Sequence, residues 1–233
     1  MTTFGLVHGA FHGAWCWDLL TPALHRLDHN VIPIDLPCDD PTADVSGYAQ
    51  IVIDALSSEG EDVVLVGHSL GGLTIPLVAA ARPVRRMVFL NAFIPQPGVA
   101  FSVQASTETG MFPSTPEATW PVTDDDGLLS WPADRAIPAL YPDCPDDVAT
   151  WAASNLRRQS LAPHQEPCPL QAWPQVPSSY ILCTDDSALS PQWARRAAND
   201  RLGQPAHELP GGHSPFLSRP YQLAELLHNI AHQ

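Results

Sequence analysis

Lysine is missing from this chain of 233 residues, whose 11 basic residues are all arginines. Schiff-base catalysis at a lysine and a phosphate loop built on one are therefore excluded. Positive charge is scarce altogether: 25 acidic residues leave a formal charge of -14, which repels a phosphate backbone, so nucleic acid is not an expected partner. Long apolar runs are missing too, none approaching the ~20 residues of a membrane-spanning helix. The chain opens on the strand-like stretch Phe4–His8, without the basic and apolar segments of a leader peptide. A cytoplasmic protein with no membrane partner is expected. The five cysteines, Cys16, Cys38, Cys144, Cys168 and Cys183, have no CxxC spacing. They do not form a disulfide framework on this reading, and Cys16, Cys38 and Cys183 read as small core residues.

Cofactor signatures are equally scarce. GLVHGAFHG is glycine-rich after a strand, but its spacing is not GxGxxG and no acidic residue ends a suitable second strand at the right interval, so no dinucleotide is expected. His8 and His12 stand four positions apart across a loop, Gly9-Ala10-Phe11, and no third ligand stands out; no metal is expected either. Asp35, in IDLP, reads as a structural residue that shapes its loop.

What is present is alternation. Strands are expected at Phe4–His8, Val31–Asp35, Val63–Gly67, Met87–Asn91, Ser179–Cys183 and Ala206–Leu209, with helix-period stretches between them. This is the pattern of a parallel sheet covered by helices on both faces. Tyr48, Ile51, Val52, Ala55 and Leu56 share a helical face ahead of Gly60, and Ser190 caps a helix that has Pro191 at its first position. Leu223, Leu226, Leu227 and Ile230 line a last helix expected to close the far edge of the sheet. From about Pro95 to Pro177 the alternation stops, in a proline-rich stretch carrying Phe101, Phe112, Trp120, Trp131, Tyr141 and Trp151, with one helix pattern over 146–161. A structureless loop of that length does not fit a compact domain. One domain over residues 1–233 is expected, with a core at 1–95 and 178–233 and an inserted lid at about 96–177.

The chemistry begins at VLVGHSLGG, residues 64–72, where a run of strand formers meets a serine among glycines. A strand, a G-x-S-x-G turn and a helix make a nucleophile elbow that pushes Ser69 out at the carboxyl end of the sheet. A serine nucleophile needs a base, and ELPGGHSPF sets His213 in a glycine-flanked loop past the last strand. His25, His29, His228 and His232 lie on or beside helices and read as surface residues. The imidazole needs an acid to fix its tautomer, and Asp185 and Asp186 both follow the fifth strand. An oxyanion hole needs two backbone N–H groups: Leu70 supplies one and Ala10, in the loop after the first strand, the other, provided that the first and third strands are neighbours. Phe11 and His12 are expected to border the substrate.

HGAFHGAWCW, GHSLGG, CTDD and GGH together resemble the α/β-hydrolase superfamily, in its branch of small esterases that includes plant salicylate methyl esterases and hydroxynitrile lyases. The resemblance covers both halves of the core and leaves the lid largely uncovered. It implies an α/β-hydrolase fold with a minimal six-stranded, mostly parallel sheet in the order 2-1-3-4-5-6. It also implies Ser69 as nucleophile, His213 as base, Ala10 and Leu70 as oxyanion donors, and Asp186 in preference to Asp185 as the acid. No cofactor is implied. The threonine and lysine of the hydroxynitrile lyase pattern are replaced here by Gly9 and Ser214, which points away from cyanohydrin chemistry. The expected function is hydrolysis of a carboxylic ester, lactone or thioester of a small, mostly apolar molecule. The alternatives are a carbon–carbon bond hydrolase, a biosynthetic thioesterase or cyclase, and a non-catalytic ligand-binding receptor. Oligomeric state stays open, a homodimer included.

Overall fold

The computed structural model describes residues 1–114 and 120–233. Six strands, β1 (Thr3–Val7), β2 (Asn30–Ile34), β3 (Val63–His68), β4 (Arg86–Leu90), β7 (Ser178–Cys183) and β8 (His207–Leu209), form one sheet in the order β2-β1-β3-β4-β7-β8. Every pairing in it is parallel. Two further strands, β5 (Val122–Thr123) and β6 (Leu129–Ser130), pair with each other between β4 and β7. With that hairpin set aside, the order is the one the resemblance implied. The hairpin went unread because two-residue strands are too short to show a period.

Strand β3 shows why the apolar runs are continuous. Val63 and Leu65 point into one buried cluster, Val64 and Val66 into the other, and none is accessible to solvent. A strand covered on both faces must be apolar at every position, whereas its side chains still alternate with period two. The helices of the core are α1 (Leu20–His25), α2 (Val45–Ala55), α3 (Ile75–Ala81), α8 (Pro191–Leu202), the single turn α9 (Pro215–Ser218) and α10 (Pro220–Ala231). Those of the insertion are α4 (Phe101–Thr107), α5 (Ala133–Leu140), α6 (Asp146–Ser154) and α7 (Ala162–Gln165). Phe101 extends the cluster under α2, α3 and α8, while Ala136, Leu140 and Ala152 extend the cluster under α1 and α10. The insertion is thus a helical subdomain packed on both cores.

Three expectations are corrected. Helix α10 packs beside α1 on a face of the sheet instead of closing its edge, because the stripe of Leu223, Leu227 and Ile230 finds a broad apolar surface there in Phe4, Leu20 and Leu24. The helix read over 146–161 stops at Ser154, and the following residues leave it to bond to core loops. His29 is buried, not on the surface: its ring stands edge-on to Phe4 and its Nε2 lies 2.9 Å from His228 Nδ1.

Candidate active site

Strand β3 runs straight into the turn that carries Ser69. The serine has φ +50°, a left-handed conformation that costs a residue with a side chain roughly 1–2 kcal/mol. A short 3-10 turn, Ser69–Leu73, leads on to α3. The turn is tight enough to demand its glycines: a Cβ on Gly67 would lie 2.8 Å from Gly71 O, and one on Gly71 would lie 2.6 Å from Val7 O. Phe93 N donates to Ser69 O at 3.1 Å and fixes the far side. Ser69 itself is half-buried.

The loop after β8 brings His213 to the same edge. Its Nδ1 lies 2.7 Å from Asp186 Oδ2, and both residues are buried. The other oxygen, Asp186 Oδ1, accepts from Ala188 N at 2.8 Å and Leu189 N at 2.9 Å. A carboxylate so placed accepts a hydrogen bond from Nδ1–H, which leaves the lone pair of the neutral ring on Nε2. Asp185 has a different partner: it accepts from Gly211 N at 2.9 Å and its own N–H donates to Gly211 O at 3.0 Å, tying the loops after β7 and β8 together.

Two residues that sequence reasoning passed over hold His213 in place. His68 Nε2 and Asn91 Nδ2 both donate to His213 O at 3.1 Å, and Asn91 Oδ1 accepts from Cys183 N at 2.7 Å. Burial pushes the His68 imidazole well below its ordinary range, so it stays neutral. The available signal was position: His68 ends β3 and Asn91 directly follows the neighbouring β4, at the edge where Ser69 emerges.

Strands β1 and β3 are paired, with Val7 opposite Gly67, so the loops that follow them rise side by side. Ala10, Leu70, Ser69 and His213 border one cavity of about 360 Å³, together with Phe11 and His12. The remaining wall is mainly apolar: Phe93 from the core, and Phe101, Phe112, Trp120, Leu129, Trp131 and Leu140 from the insertion. The polar atoms of His12 are already engaged. Its Nδ1 lies 2.8 Å from Ala10 O, which only accepts, so Nδ1 carries the proton and Nε2 accepts from Tyr141 OH at 2.9 Å. Burial pushes His12 down to about 3 and His8, whose ring nitrogens meet Gly9 O and Leu36 N, down to about 4. Both are neutral braces at ordinary pH.

A family model described as "Alpha/beta hydrolase family" matches residues 6–226. Salicylic acid-binding protein 2 of Nicotiana tabacum is 30% identical, over 99% of this chain and 97% of its own. An alpha-hydroxynitrile lyase of Arabidopsis thaliana is 29% identical, over 98% of this chain and 96% of its own. Among solved structures, a pyrethroid hydrolase from Sphingobium faniae JZ-2 superposes with a TM-score of 0.78 at 25% identity, covering 99% of this chain and 97% of that one.

Proposed function

The chain belongs to the alpha/beta hydrolase family, and from that premise we propose that it is a serine hydrolase cleaving a carboxylic ester, lactone or thioester of a small, mostly apolar molecule. The observation that carries this reading is the His213–Asp186 contact of 2.7 Å beside Ser69 on a mainly apolar cavity. Ser69 Oγ attacks the substrate carbonyl as its proton passes to His213 Nε2, and Asp186 holds the imidazolium that forms. The N–H groups of Ala10 and Leu70 receive the oxyanion. Collapse of the tetrahedral intermediate expels the alcohol or thiol, protonated by His213, and leaves an acyl-serine. Water, deprotonated by His213, then releases the acid. Relatives support the substrate class: one is named a pyrethroid hydrolase and another a methyl jasmonate esterase. Against cyanohydrin chemistry stand the missing lysine and Gly9, where a Cβ would lie 2.7 Å from Ser69 Cβ and leave no room for a threonine.

Hydrolysis of p-nitrophenyl esters from acetate to decanoate tests the reading. Wild type should turn over the short and middle members, and Ser69→Ala should lose at least ~10³-fold in kcat. Equal rates in the two proteins would refute Ser69 as nucleophile. Failure of the whole series in both would favour carbon–carbon hydrolysis, a biosynthetic thioesterase or cyclase role, or a non-catalytic receptor.

A further inference from the structure

The stretch in which the insertion leaves its helix early is bonded to the loops after β1 and β2. Arg157 N donates to Phe11 O at 2.7 Å. The guanidinium covers the next carbonyl, with Nε 3.1 Å and Nη2 2.8 Å from His12 O, and Nη2 also reaches Leu36 O at 2.7 Å. Nη1 and Nη2 meet the Asp35 carboxylate at 3.2 and 3.3 Å, and Asp35 Oδ1 in turn accepts from Ala14 N at 2.8 Å. Gln159, which is fully buried, accepts from Phe11 N at 3.3 Å through Oε1. Ser160 N donates to Cys38 O at 2.6 Å.

Two of these bonds hold a residue in an unfavoured state, and the guanidinium holds the carbonyl of the residue after it. Phe11 has φ +66°, a conformation rare for a bulky side chain, which persists only when its surroundings impose it. Both its N–H and its C=O are held by the insertion, and the peptide N–H of Ala10 lies one residue before it. The contribution of Arg157 is geometric more than coulombic, since the Asp35 side chain is 58% exposed and an exposed ion pair contributes little. A planar fork with several fixed donors can hold three acceptors at set angles, as an ammonium cannot.

We propose that Arg157, with Gln159, is a positioning residue of the active site: by clamping Phe11 and His12, the insertion sets the direction of the Ala10 N–H. The proposal rests on the reading of Ala10 as an oxyanion donor. It makes this side of the insertion part of the catalytic scaffold, where a clamp serving stability alone would leave turnover unchanged in the folded variant.

Steady-state hydrolysis of p-nitrophenyl butyrate by wild type, Ser69→Ala, Arg157→Ala and Arg157→Lys tests it, with inhibition by a trifluoromethyl ketone, by butyrate, and thermal unfolding measured in parallel. Arg157→Ala is expected to lower kcat on the order of 10- to 10²-fold with KM within about 3-fold of wild type, because a misdirected donor weakens transition-state binding. Inhibition by the ketone, which adds to the serine as an oxyanion, should weaken by the same factor while butyrate binding holds. Arg157→Lys should recover little, and millimolar guanidinium should restore part of the lost kcat to Arg157→Ala. Should Arg157→Ala not fold, Gln159→Leu is read in the same way, since it removes the Phe11 N–H partner, together with a bond to Ser160 O, and leaves the guanidinium in place. A normal kcat, a rise in KM alone, or equal weakening of ketone and butyrate overturns the proposal. A wild type without Ser69-dependent turnover overturns the reading of the site, and this proposal with it.

Discussion

The Asp186 carboxylate accepts from His213 Nδ1, Ala188 N and Leu189 N, while that of its neighbour Asp185 accepts from Gly211 N. One residue along the chain separates a carboxylate aimed at the imidazole from one that ties two loops. Asp186→Asn keeps the volume but turns an amide N–H or a neutral oxygen toward His213, so the required tautomer is lost; kcat on a p-nitrophenyl ester should fall ~10³–10⁴-fold with the fold retained. Asp185→Asn should keep kcat within about 3-fold and lower the melting temperature instead, as a charge-assisted bond to a backbone N–H is weakened. Kinetics and thermal unfolding of the two variants side by side decide the matter. The opposite pattern would make Asp185 the acid.

Among the elements, the helical insertion contributes much of the cavity's apolar wall. Phe112 borders the cavity with its ring 5.9 Å from that of Phe93 and 5.4 Å from that of Trp120, and Trp131 stands 5.2 Å from Phe11. The core supplies the edge that carries Ser69 and His213, and these rings supply much of the remaining surface. Phe112→Ala should move the optimum of an ester series toward longer acyl chains, by about 4-fold in kcat/KM for each methylene newly accommodated, the equivalent of ~0.8 kcal/mol of burial. An unchanged chain-length profile in both Phe112→Ala and Trp131→Ala would remove the insertion from any role in specificity.

Taken as a whole, the molecule folds around neutral histidines. Burial pushes His8 and His164 down to about 4 and His12 to about 3, and His68 well below its ordinary range. The unfolded chain protonates these rings below about pH 6.5, whereas the folded chain does not until pH 4 or lower, so the unfolded state binds more protons in between. Stability should therefore be flat above about pH 7 and fall as pH drops from 6.5 toward 4, with roughly three to four protons taken up on unfolding near pH 5. The formal charge of -14 acts in the other direction, because acid relieves self-repulsion. That effect is long-range and is screened beyond ~8 Å at 0.15 M salt, while burial of an imidazole is not, so burial should win. Urea midpoints measured from pH 8 to 4.5 at that ionic strength check the sign. A midpoint that stays level or rises down to pH 5 would contradict it.

Turn chemistry and short apolar runs between helix-period stretches by themselves pointed to the six strands of the sheet, the elbow around Ser69 and the loop that carries His213, because glycine crowding and burial of a strand on both faces act over a few residues. They also gave Ala10 and Leu70 as loop positions, on the condition that β1 and β3 were neighbours, which pairing in the sheet decides. Between Asp185 and Asp186 local pattern is silent: the resemblance preferred Asp186, and the tertiary structure sets the Asp186 carboxylate 2.7 Å from His213 Nδ1 while Asp185 turns to Gly211. The tertiary structure alone brought Asn91 to the His213 carbonyl, Tyr141 to His12 and Arg157 to Asp35, residues more than a hundred positions apart in sequence. It also buried His29 and ended α6 at Ser154 against local expectation. Such contacts arise where chain segments that carry no information about one another are packed together, and the energy of that packing outweighs the small local preferences from which a sequence can be read.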